Sequence, residues 1–102
     1  MKPALLSGDA RADALEAFAF YERRRQGLGA RFREHLDHAI ARIQEDPARY
    51  PVVYRDLRRR LVERFPYAVY YREYSDVVFI VAVMHGRRSP DRWKLRASAD
   101  AE

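Results

Sequence analysis

Residues 77–84, VVFIVAVM, form the longest unbroken apolar run in the chain. β-Branched residues dominate it, and such side chains fit a pleated surface better than a helix. Unbroken apolarity, in place of polar–apolar alternation, predicts a central strand covered on at least one face. In a chain of 102 residues there is room for one modest core, so the rest must pack around this strand. The run is too short for a membrane-spanning helix, which takes about twenty apolar residues.

Two amphipathic stretches precede the strand. In 10–25, Ala14, Phe18 and Tyr21 recur at helical spacing, with Leu15 and Ala17 beside them. The stripe is broad, which predicts contact with more than one neighbour. Ser7 or Asp9 can cap this helix. Arg23, Arg24 and Arg25 fall in its last turn, where cations complement the carbonyl end of the helix dipole. The segment Gly27-Leu28-Gly29 breaks the helix, and Gly27 is placed to take a left-handed conformation. A second helix is predicted over 30–46, with Phe32, Leu36, Ala39, Ile40 and Ile43 on one face and Pro47 and Pro51 ending it. So short a break predicts an antiparallel helical hairpin.

Beyond Pro51 the period moves towards two. Leu57, Leu61 and Phe65 are predicted to share one strand face, and Arg58, Arg60 and Arg64 the other. Residues 67–74, YAVYYREY, read as the next strand, placing Tyr70, Arg72 and Tyr74 together. Ser75-Asp76 is a plausible turn into the apolar run. The start, 1–7, is a weak strand candidate that Pro3 confines to an edge. The predicted fold class is α+β, one domain over 1–102: a helical hairpin covering one face of a small antiparallel sheet, with 97–102 a disordered tail.

The absence of cysteine excludes disulfides, thiolate catalysis and cysteine-ligated zinc. No signal-peptide pattern opens the chain, and a cytoplasmic protein is expected. The net charge of +5 is uneven, with +1 in residues 1–50 and +4 in 51–102. Eighteen of the twenty basic residues are arginine, whose planar fork matches phosphate and carboxylate. An anionic partner follows, either nucleic acid or an acidic protein.

Specific chemistry is sparse. His35 and His38 stand at i, i+3, but outside the apolar stripe and without HExxH spacing, so a solvated helix face explains them. No metal or cofactor site is expected, and no nucleophile elbow or phosphate-binding loop is present. What remains is basic and aromatic. Arg58, Arg60, Arg64 and Arg72 lie on predicted strands, and His85, Arg87 and Arg88 follow the apolar run. If the hairpin covers one sheet face, the other could display arginines and tyrosines that bind phosphates and stack bases. With His85 near them, acid–base cleavage of RNA becomes chemically conceivable. The plainer reading is a solubilising basic face. Trp93 reads as a lid that folds back on the sheet, aided by Pro90.

The stretches AFAFYERRRQGLGARFREHLDHAIARIQEDPARYP, RRRLVERFPYAVYYRE and VVFIVAVMHGRRSPDRW together resemble the RelE/ParE superfamily of toxins from type II toxin–antitoxin modules, over about residues 10–96. The most specific pieces are GLG followed by Phe32, ARYP at 48–51, FPY at 65–67, and His85, Arg88, Pro90 and Trp93 in their spacing. The ending resembles the ParE-like, plasmid-stabilisation branch. That resemblance implies a toxin that acts by binding, with DNA gyrase as its target, and a cognate antitoxin that neutralises it. Arg58, Arg60, Arg64, Arg72, Arg87 and Arg88 are then candidates for binding the target or the antitoxin. The rival is a RelE-like endoribonuclease cutting messenger RNA on the ribosome, with His85, Arg87 and Arg88 as the catalytic candidates. No tyrosine follows Tyr74, so a terminal catalytic tyrosine is missing. A second rival is an inactive relative that only binds an antitoxin.

Overall fold

Ser7 opens the first helix as its sequence suggests. Its hydroxyl accepts the Ala10 amide at 3.0 Å, capping α1 (Gly8–Arg24). The computed structural model describes residues 1–86 and 90–100. Gly27, at φ +89°, turns the chain into α2 (Leu28–Glu45). The Glu22 carboxylate accepts the amides of Gly27 and Gly29 at 2.9 and 3.0 Å, placing an anion on the amide end of α2. Gly29 is required where the helices cross, because a Cβ there would lie 2.6 Å from the Phe18 carbonyl oxygen.

Five strands form one sheet: β1 (Ala4–Leu6), β2 (Val52–Tyr54), β3 (Leu57–Leu61), β4 (Tyr67–Glu73) and β5 (Val78–His85), in the order β1-β5-β4-β3-β2. The apolar run is a central strand, as predicted. The sheet is mixed, since β1 pairs parallel to β5 while the other pairs are antiparallel. Pro3 does not prevent this. It has no amide to donate, but its carbonyl accepts Val78 N–H at 2.9 Å.

The α1–α2 hairpin covers one face through Ala10, Ala17, Phe32, Leu36 and Ile43, packed against Val69, Tyr71, Val78, Ile80 and Val83. The opposite face is closed by a helix the sequence reading did not foresee, α3 (Pro90–Asp100). The expectation of a disordered tail from residue 97 is therefore overturned as far as Asp100. Ala97 is fully buried against the sheet, and Arg72 donates from Nη2 to its carbonyl. Trp93 does fold back, stacking on Tyr70 with centroids 4.7 Å apart.

A β-bulge between β4 and β5 explains how one strand serves both layers. Tyr70 pairs with Ala82 but Tyr71 with Ile80, leaving Val81 as the extra residue. Val81 and Ala82 therefore both join the layer under α3. Beyond Leu6, among the described residues, no strand accompanies β5, and its edge is satisfied by side chains instead. Asp13 of α1 accepts Val83 N–H at 3.0 Å, and Arg96 of α3 donates to Val81 C=O at 3.2 Å. The two side chains also bind each other, with N···O distances of 2.5 and 3.2 Å.

Candidate functional site

The basic residues singled out from sequence do not form one surface. Arg58 lies opposite Tyr71 and Arg60 opposite Val69, so both point to the face that the hairpin covers. Arg58 donates to the carbonyls of Ala48 and Tyr50 at 3.1 and 2.6 Å. Arg60 sits 5.4 Å over the Tyr50 ring, bonds the Leu61 carbonyl and pairs with Glu63 at 3.9 Å. Burial would raise the Tyr50 pKa, but Arg60, Arg42 and Arg49 outweigh it and hold the phenol below its ordinary value. The expected row of Arg58, Arg60 and Arg64 is thus corrected. β3 ends at Leu61, and Arg64 lies in the following turn with φ +67°. Arg72 is corrected as well. It is 1% exposed, bound to Asp56 at 2.9 Å and roofed by α3, so it supports the fold and is not presented to a partner.

The face expected to display arginines and tyrosines is largely occupied. Tyr70 is fully buried beneath Trp93. Burial raises its pKa against the opposing charge of Arg59.

His85 stands at the end of β5, half-buried, with its ring 5.9 Å from Tyr67. It lines a hollow of about 200 Å³ together with Asp13, Glu16, Tyr67 and Arg92. Carboxylates, an imidazole and a guanidinium meet there, which is chemistry suited to proton transfer. Arg87 and Arg88, the other catalytic candidates, lie outside the described residues.

Two further features were missed from sequence. A groove of about 320 Å³ runs along the outside of the hairpin, floored by Leu6, Ala14, Phe18, Leu36 and Ile40 and flanked by Arg11, Arg33 and Asp37. Leu15 lies beside it and is 66% exposed. The breadth of the α1 stripe was its signal, since a helix apolar over so wide an arc has more surface than one sheet can bury. The second is the turn at 62–66. There Phe65 and Pro66 separate two hollows of about 350 and 570 Å³.

The model of the family "ParE toxin of type II toxin-antitoxin system, parDE" matches residues 4–90. The chain belongs to the ParE toxin family. Among solved structures, it is similar to a chain of the chromosomal ParDE toxin–antitoxin system from P. aeruginosa, with a TM-score of 0.74 at 15% identity, covering 83% of this chain and 96% of that one. At that identity the likeness speaks for the fold. No curated protein sequence gives a significant match. The family assignment covers α1, α2 and all five strands and reaches the first residue of α3. Among the described residues no helix is long and apolar enough to cross a membrane.

Proposed function

We propose that this ParE-family chain arrests growth by binding a protein target, DNA gyrase, and that a cognate antitoxin neutralises it by laying a segment in the α1–α2 groove. The observation that carries the binding reading is how the strand arginines are used. Arg58, Arg60 and Arg72 are tied to carbonyls, carboxylates and an aromatic ring of their own chain. A ribonuclease would need such cations aimed at a scissile phosphate beside its acid and base. The groove supports the second half. Its apolar floor and half-exposed α1 ridge suit an amphipathic helix, and Arg11 and Arg33 on its flanks suit acidic neighbours on that helix.

One observation favours the rival. His85 shares its hollow with Glu16 and Arg92, a combination that could serve messenger RNA cleavage. Induction of the chain in a bacterial host, alone and with the neighbouring reading frame, separates the readings. The expected result is growth arrest with a DNA-damage response, uncut messenger RNA, and rescue by the neighbour. His85→Gln should leave the arrest intact. Prompt messenger cleavage that His85→Gln abolishes would transfer the assignment to the ribonuclease. Normal growth with folded protein present would favour an inactive relative that retains only the antitoxin interaction.

A further inference from the structure

The turn from β3 to β4 holds a residue in a conformation its side chain does not favour. Arg64 has φ +67°, the left-handed region where a Cβ is strained and glycine is the residue of least cost. An outlier of this kind invites the question of what the side chain does there. Arg64 lines the hollow of about 350 Å³ on one side of Phe65 and Pro66, together with Arg31 and His35 of α2. Arg59 and His85 line the hollow of about 570 Å³ on the other side, where Leu61 is 60% exposed. Neither lining contains a carboxylate. The nearby acids are engaged, Glu22 by the amides of Gly27 and Gly29 and Glu63 by Arg60. Among the described residues Arg31, Arg59 and Arg64 make no ion pair.

We propose that this surface, two basic hollows straddling Phe65 and Pro66, takes an acidic protein segment that also carries apolar side chains. Its carboxylates pair with Arg59 and Arg64, and its apolar groups cover Leu61, Phe65 and Pro66. Arg64 holds its strained conformation because the guanidinium is needed there. A nucleic-acid strand fits less well. The Phe65 ring is already engaged by Tyr21, Phe32 and His35 at 4.9, 5.2 and 5.7 Å, so this ring offers no free platform for stacked bases. A phosphate backbone would also leave exposed Leu61 without an apolar partner. The inference rests on the reading that the chain acts by binding a protein, and it names the chemistry of the segment bound.

The test is a pair of NMR titrations of the whole chain, one with a soluble glutamate–leucine copolymer and one with oligothymidylate of matched charge. The copolymer is expected to shift the amides of Leu28, Arg31, residues 59–67 apart from Pro66, and His85. Arg59→Glu and Arg64→Gly are each expected to weaken it about tenfold or more, the scale of one charge-assisted pair. Arg64→Gly carries the sharper discrimination, because relief of strain should raise its melting temperature by a few degrees while binding falls. A more stable Arg64→Gly protein that binds as before would overturn the proposal, and so would a less stable one. Shifts centred on the α1–α2 groove would overturn it too. Oligothymidylate producing the same map with equal affinity would assign the surface to nucleic acid instead. These readouts need no growth arrest, so a failure of the toxin reading and a failure of this surface are told apart.

Discussion

Tyr71 shows how little of a residue's role its local pattern reveals. Alternation along β4 places it beside Val69 in the hairpin layer, where its hydroxyl donates to the Pro47 carbonyl at 2.5 Å. Burial drives its pKa well above that of an ordinary tyrosine, and Arg58 opposes this only in part. Because the folded pKa is raised, the contribution to stability is complete below the unfolded value of about 10 and is lost as pH rises beyond it. Tyr70 acts in the same direction. Tyr71→Phe removes one buried hydrogen bond and one alkaline titration. It is expected to cost about 1 kcal/mol near neutral pH, with the difference from the parent narrowing above about pH 10. Urea melts at neutral and alkaline pH measure both. A constant difference across that range would show that the buried phenol does not couple to stability. Burial of individual side chains was readable here only where the period was clean. The Phe32, Leu36, Ala39 and Ile43 stripe of α2 is buried as its spacing requires. β3 was not clean, and its Arg58 and Arg60 turned out to face the hairpin.

At the scale of elements, the hairpin, its glycine break and the three longer strands were legible because each signal is local. The missing pieces are long-range. α3 is polar on average and short, so its own sequence says little, and it is held by groups far away in the chain. Asp13 accepts from the Val83 amide and from Arg96, joining α1, the unpaired edge of β5 and α3 at one carboxylate. One local hint existed: Asp13 falls between Ala10, Ala14 and Ala17 on the buried side of α1, where a carboxylate needs a partner. Asp13→Ala leaves the Arg96 guanidinium without its chief acceptor and the Val83 amide unpaired. A loss of about 2–4 kcal/mol is expected, between the cost of an unmade hydrogen bond and that of a broken buried ion pair. Trp93, the chain's one tryptophan, reports the same event. It lies on the sheet-facing side of α3 and is 5% exposed, so undocking of the helix should move its emission to the red. An unchanged emission maximum and melting temperature in Asp13→Ala would mean that the Trp93–Tyr70 stack and buried Ala97 hold α3 without the carboxylate.

The whole molecule presents two surfaces with different physics, and this difference sets expectations for its partners. The α1–α2 groove is apolar with few charges, while the Phe65–Pro66 end is basic with an apolar centre. Net charge predicted an anionic partner but could not locate it, because Arg58, Arg60 and Arg72 are spent within the fold. An antitoxin seated in the groove, as proposed, would bind the folded chain and not the unfolded one. At a free concentration a hundredfold above Kd, it should stabilise the chain by about 2.7 kcal/mol. For a domain of this size that is a rise in melting temperature on the order of 10–20 °C. Leu15→Asp puts a carboxylate beside the groove at a position that is mostly exposed in the free chain. It should leave the free melting temperature nearly unchanged and remove most of the rise caused by the antitoxin. Raising salt should diminish the rise in the parent only modestly, since Arg11 and Arg33 flank a contact made mainly by apolar surface. Thermal melts of the parent and of Leu15→Asp, with and without the neighbouring gene product, decide the matter. A full rise in Leu15→Asp would place the antitoxin elsewhere, and a rise abolished by moderate salt in the parent would point to the basic end of the sheet as its main seat.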